Sequence, residues 1–152
     1  MDGVIYRGNT LLPGVSEFVE WLEKKGKKYL FLTNSSERSP RELRQQLGRM
    51  GLDVTEAHFY TSALATAAFL SRQAPGCSAY VIGAPGLVNA LYDAGITMND
   101  IDPDYVIVGE TSTYNYEMIS KAALLVQGGA RLIATNSDLT GPTEVGIVQA
   151  CR

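Results

Sequence analysis

Residues 29–51 read YLFLTNSSERSPRELRQQLGRMG. From Tyr29 to Leu32 the side chains are continuously apolar before the chain turns polar at Thr33 and Asn34. The run is too short for a helix and suits a buried parallel strand. Capping residues and Pro40 follow, then Leu43, Leu47 and Met50 recur at helical spacing up to Gly51, so a helix is expected over this stretch. A strand delivering the chain through a polar turn into an amphipathic helix is the repeating unit of an α/β fold.

The unit recurs in both directions. Upstream, GVSEFVEWLEKKGKK (14–28) sets Val15, Phe18, Val19 and Leu22 on one helical face after Pro13. Downstream the chain alternates TSALATAAFLSRQ (61–73, helix), SAYVIG (78–83, strand), APGLVNALYDAG (84–95, helix), DYVIVGE (104–110, strand), YNYEMISKAALLVQGG (114–129, helix) and RLIATN (131–136, strand). Alternation of this kind builds Rossmann-like parallel sheets from βαβ units. The pattern restarts near LDVTEAH (52–58), which divides the chain into residues 1–55, with one full strand, and residues 56–152, with three. A lone parallel strand cannot satisfy its backbone groups, so YLFLTN requires partner strands. These could come from elsewhere in the polypeptide, from another chain, or from pairing with the second piece.

At 45% hydrophobic and 19% charged residues the composition is that of a soluble folded protein. No apolar run approaches the ~20 residues of a spanning helix, and no secretory leader is visible. The net charge of -3 offers no basic surface for nucleic acid. Lys24, Lys25, Lys27 and Lys28 are offset by Glu17, Glu20 and Glu23 and read as a solvated helix end. Cys77 and Cys151 lack metal-site spacing and disulfide spacing, which points to a reducing cytoplasm.

Three polar stretches are candidates for chemistry, each with a plainer alternative. Asp2-Gly3, followed by Val4, Ile5 and Tyr6, resembles the end of a buried strand entering a turn, although Asp-Gly also favours turns by itself. TNSS (33–36) either caps the next helix or offers hydroxyls and free N–H groups to an anion at a strand's carboxyl end. The polar stretch TNSDLTGPTEVG (135–146), with Asn136, Asp138, Thr140, Thr143 and Glu144, is a surface loop or a ligand loop at the same kind of strand end. GAPG (83–86) lacks the G-x-G-x-x-G fingerprint and reads as a tight turn, so dinucleotide binding is set aside. His58, the only histidine, reads as a boundary or surface residue, and Tyr114 and Tyr116 as packing.

Taken in order, MDGVIYRGNTLLPG, FLTNSS, FYTSALATAAFL, YVIVGE with YNYEMISKAA, and RLIATNSDLTGPTE resemble the haloacid dehalogenase superfamily, specifically its NagD-type phosphatases. The resemblance implies a partial family core followed by an α/β cap domain. It also implies phosphate-monoester hydrolysis through an aspartyl-phosphate, with Mg²⁺ as cofactor and a small phosphorylated metabolite as substrate. Asp2 corresponds to the general acid and base of the D-x-D-G motif, with its backbone carbonyl near the metal. Thr33 and Asn34 correspond to the phosphate-binding residues, and the loop at Asn136 and Asp138 to a substrate loop.

The same resemblance puts the nucleophilic Asp immediately ahead of Met1, and a Lys and further acidic ligands beyond Arg152. The sequence therefore reads as truncated at both ends. The expectation is that these residues alone bind magnesium poorly and are not a competent phosphatase. The alternative is a non-catalytic binding module that forms a homo-oligomer or exchanges strands through exposed edges.

Overall fold

The computed structural model describes residues 1, 3–138, 140–143 and 146–149, with side chains up to Asp138. Asp2 lies outside the described residues, as do Glu144, Cys151 and the side chains of Thr140 and Thr143.

The chain starts with a short antiparallel hairpin, β1 (Tyr6–Arg7) and β2 (Thr10–Leu11), which periodicity alone did not reveal. Helix α1 (Val15–Lys24) leads to β3 (Phe31–Thr33), and α2 (Pro40–Arg49) follows. Ser39 caps α2 in a reciprocal box. The Glu42 N–H donates to Ser39 Oγ at 3.3 Å, and the Ser39 N–H donates to the Glu42 carboxylate at 2.8 Å. The cap is thus Ser39, which leaves Ser35 and Ser36 for other partners.

A single 3₁₀ turn (Glu56–His58) precedes β4 (Phe59–Thr61), a strand absent from the sequence expectation, which placed only Thr61, in the following helix. β4 runs parallel to β3, with Phe31 opposite Phe59 and Thr33 opposite Thr61. The partner sought for YLFLTN therefore comes, on one side, from residues beyond 55. Thr61 ends β4 and also caps α3 (Ser62–Gln73), accepting from the Leu64 N–H at 3.2 Å. With no loop between strand and helix, no polar break marks the strand in the sequence.

Val19, Phe31, Leu43, Leu47, Leu52, Val54 and Phe59 form the core of this first sheet. His58 belongs to its margin, its ring stacked on Tyr29 at 4.3 Å. The other face of the strands is open: Leu32 is 66% exposed and Tyr60 lies beside it in register. The apolar stripe of α1 is likewise split, with Val19 buried and Phe18 59% exposed against Trp21.

The second sheet has four parallel strands in the order β6-β5-β7-β8: β5 (Ser78–Ile82), β6 (Thr97–Met98), β7 (Tyr105–Val108) and β8 (Arg131–Ala134). Three had been expected; β6 is a two-residue edge strand, too short to carry a pattern. α3 and α4 (Pro85–Asp93) cover one face, burying Leu70, Leu87 and Leu91 against Tyr105 and Ile107. α5 (Tyr116–Gln127) covers the other, setting Ala122 and Met118 against Val106 and Val108. The central strand β7 is buried on both sides, which explains its unbroken apolar run. Tyr116, read as packing, is 87% exposed at the first turn of α5, while the Tyr114 hydroxyl donates to the Gly109 carbonyl at 2.7 Å. A terminal hairpin, β9 (Thr140–Thr143) with β10 (Gly146–Gln149), occupies part of the stretch read as loop. Among the described residues no helix is long and apolar enough to cross a membrane.

Candidate active site

The two parallel sheets are joined where their strands end. β3 delivers Thr33 to Ser36, β7 delivers Gly109 and Glu110, and β8 delivers Thr135 to Asp138. Parallel strands present their carboxyl ends together, so loops distant in sequence converge there.

Each residue of the post-β3 loop has a defined partner. Thr33 Oγ1 accepts from the Ser35 N–H at 3.3 Å, which curls the loop back on the strand end. The Asn34 side-chain amide donates to the Asp138 carboxylate, and the Asn34 carbonyl accepts from Ser62 Oγ at 2.8 Å. Asp138 is itself held in a turn by its N–H donating to Asn136 Oδ1 at 2.7 Å. The Ser35 hydroxyl donates to the Glu110 carboxylate at 2.7 Å. Ser36 is wholly buried and accepts from the Glu110 N–H at 2.9 Å and from the Thr135 hydroxyl at 3.1 Å.

Two glycines allow this approach. A Cβ on Gly86 would fall 2.5 Å from the Glu37 carbonyl oxygen, and one on Gly109 would fall 2.7 Å from Ser36 Oγ. GAPG is therefore more than a tight turn: Gly86 also donates its N–H to the Glu37 carbonyl at 3.2 Å.

Beside the loop lies a cleft of about 280 Å³ lined by Met1, Leu32, Thr33, Asn34, Thr61 and Ser62, among others. The structure thus brings Thr33 and Asn34 to a cleft at the ends of β3 and β4. It also brings Asp138, with Asn136 behind it, onto Asn34. Asp2 falls outside the described residues. Sequence reasoning did not single out Glu110, Thr135 or Ser62. Their signal was available for two of them, since Glu110 and Thr135 are polar residues at the ends of apolar strands in a parallel sheet.

Mg²⁺ asks for octahedral oxygen ligands, normally one or two carboxylates completed by water and phosphate. Among the described residues no three of His, Cys, Asp or Glu come together. Glu110 and Asp138, the carboxylates at the loop, already accept from Ser35 and Asn34. The described donor set does not fit the ion.

Residues 1–97 match the family model for haloacid dehalogenase-like hydrolases. The chain is 45% identical over 151 residues to the ribonucleotide monophosphatase NagD of Escherichia coli K12, covering 99% of this chain and 59% of that protein. It is 43% identical over 150 residues to the dihydroxyacetone phosphatase of Corynebacterium glutamicum, covering 99% and 54%. The structure of a 4-nitrophenylphosphatase from Thermotoga maritima superposes with a TM-score of 0.94 at 33% identity, over 99% of this chain and 58% of that one. The chain thus spans between half and three-fifths of the length of these relatives. With the family model matching well over half of its residues, the chain belongs to the haloacid dehalogenase-like hydrolases.

Proposed function

We propose that these residues are part of a phosphatase that hydrolyses phosphate monoesters of small metabolites, with Thr33 and Asn34 holding the phosphoryl group. The observation that carries the reading is the meeting of Thr33 and Asn34 with Asp138 beside a cleft at the carboxyl ends of β3 and β4. A phosphoryl group in transfer spreads charge over its equatorial oxygens, and hydroxyl and amide donors at a strand end suit it. The relatives' names, a ribonucleotide monophosphatase and a dihydroxyacetone phosphatase, support the reaction class.

In this reading the first sheet and its helices belong to the catalytic core, from the N-terminus through about residue 55, with β4 added. The following α/β unit is the cap, and its loop at Asn136 and Asp138 faces the substrate. Asp2 is the general acid and base, protonating the leaving alcohol and then deprotonating water. The magnesium of such enzymes would need ligands that the described residues do not assemble. A polypeptide of these 152 residues alone is accordingly proposed to be without turnover. A cytoplasmic setting belongs to the same proposal, given cysteines without disulfide spacing.

The phosphate site is tested by titrating inorganic phosphate into the protein and following backbone amides by NMR. Saturable shifts at Asn34 and Ser35, abolished by Thr33→Val, are expected; their absence overturns the site. Hydrolysis of p-nitrophenyl phosphate with Mg²⁺ tests the second claim, and robust turnover by the 152-residue chain overturns it.

A second reading, self-association, is favoured by one observation. Among the described residues β3 pairs only with β4, and Leu32 on the open face of the sheet and Phe18 on α1 stand exposed. Light scattering decides it, since a clean monomer at tens of micromolar would refute it.

A further inference from the structure

We infer that Ser36 is a positioning residue, through which the second sheet sets the conformation of the Thr33–Asn34 loop. The inference rests on the phosphate-site reading for its functional meaning and on the hydrogen bonds at Ser36 for its physical content.

Ser36 is the point where three segments meet. Its side chain is inaccessible to water, and its Oγ accepts from the backbone of Glu110 after β7 and from the hydroxyl of Thr135 after β8. Gly109 leaves room for that oxygen, and the Gly86 N–H fastens the next residue, Glu37. A partly buried N–H and a partly buried hydroxyl therefore both depend on one fully buried side chain three residues past Thr33. Removing such an acceptor takes a partner from two donors that are only partly open to water, which costs at least what the bonds contribute.

The geometry runs from Ser36 to the candidate site without a gap. Ser35, adjacent, is tied to Thr33 Oγ1 through its N–H and to Glu110 through its hydroxyl, and the Glu37 N–H donates back to Ser35 Oγ at 3.3 Å. Displacement of Ser36 from the junction shifts Ser35 and thereby the strand end that carries Thr33. Ser36 does not line the cleft, whose walls include Thr33, Asn34 and Ser62. Its influence is through the loop, not through a bound phosphate.

The test compares Thr135→Val, which keeps the shape of the side chain and removes its hydroxyl, with Thr135→Ser, which keeps the hydroxyl. Ser36→Ala serves as the stronger variant. Hydrogen exchange is read at the amides of Ser35, Glu37 and Glu110, with amides in the middle of α2 as the reference for global opening. Thr135→Val is expected to speed exchange at the three loop amides about tenfold, the size of one lost net hydrogen bond, while α2 is unmoved. Thr135→Ser is expected to restore the slow rates, which a merely volumetric role of the side chain would not do. Unchanged loop exchange in Thr135→Val, or a rise that Thr135→Ser fails to reverse, overturns the inference. Inorganic phosphate is titrated into the unmodified protein in parallel. No saturable binding there refutes the phosphate-site reading, while the exchange data judge the positioning role independently. If Ser36→Ala does not fold, the Thr135 pair decides the matter.

Discussion

Replacing Gly86 with Ala sets helix propensity against tertiary contact, and the two predict opposite signs. Gly86 is buried in the first turn of α4. By propensity alone, Gly to Ala in a helix stabilises by up to ~1 kcal/mol. The structure argues the reverse. The added Cβ would lie 2.5 Å from the Glu37 carbonyl oxygen and 2.8 Å from the Arg38 carbonyl carbon. Both are backbone atoms and cannot rotate away as a flexible side chain would. Relief requires α4 to withdraw from the post-β3 segment, stretching the 3.2 Å bond from the Gly86 N–H to Glu37. Overpacking costs ~1–3 kcal/mol and the bond another ~1 kcal/mol. Against the propensity gain, a net loss of roughly 1–3 kcal/mol remains, a fall in Tm of roughly 3–10 °C for a chain of this size. Gly48→Ala in α2 is the control: its Cβ would meet nothing within 4 Å, so it should gain ~0.5–1 kcal/mol. Urea or thermal unfolding followed by circular dichroism measures both. Gly86→Ala as stable as the parent protein would refute the argument that this glycine is required by contact.

Other expectations follow from local chemistry. Ser39→Ala removes the hydroxyl arm of the α2 capping box, leaving the backbone N–H to Glu42, and should cost ~0.5–2 kcal/mol in denaturant unfolding. The Ser78 N–H and hydroxyl hold the Asp104 carboxyl below its ordinary 3.8. Its contribution is therefore present above that value and lost as pH falls through the lowered one. The acid unfolding of Asp104→Asn should show a correspondingly weaker pH dependence in that window. Burial, aided by its bond to Glu23, pushes the Tyr29 phenol up to about 12. Protonated Tyr29 thus supports the fold fully below the ordinary value of 10 and stops doing so as pH rises through about 12. Glu23→Gln should lower that midpoint in a titration of the ring carbons followed by NMR.

The α/β class, the five main helices and the order of the principal strands were legible because each long element carries its own period. Leu43 and Leu47 recur at helical spacing, and Tyr105 to Val108 are apolar throughout because β7 is buried on both faces. The polar residues Thr33 and Asn34 were legible as a candidate site because they end an apolar strand. β4 and β6 were not legible, since strands of three and two residues have no period and exist only through their pairing with β3 and β5. TNSS had two open readings, cap or anion site, because a serine near a helix start satisfies local chemistry in either role; the cap of α2 is Ser39.

The sequence by itself determined the alternation of strands and helices and the polar character of the loop after β3, because both follow from local hydrophobic spacing and turn chemistry. Tertiary structure alone decided which groups that loop meets. Asp138 reaches Asn34, and Glu110 and Thr135 close on Ser36, because two parallel sheets turn their carboxyl ends toward each other and glycines let the backbones approach. Such contacts span up to about a hundred residues of chain, and no local pattern encodes a distance of that kind.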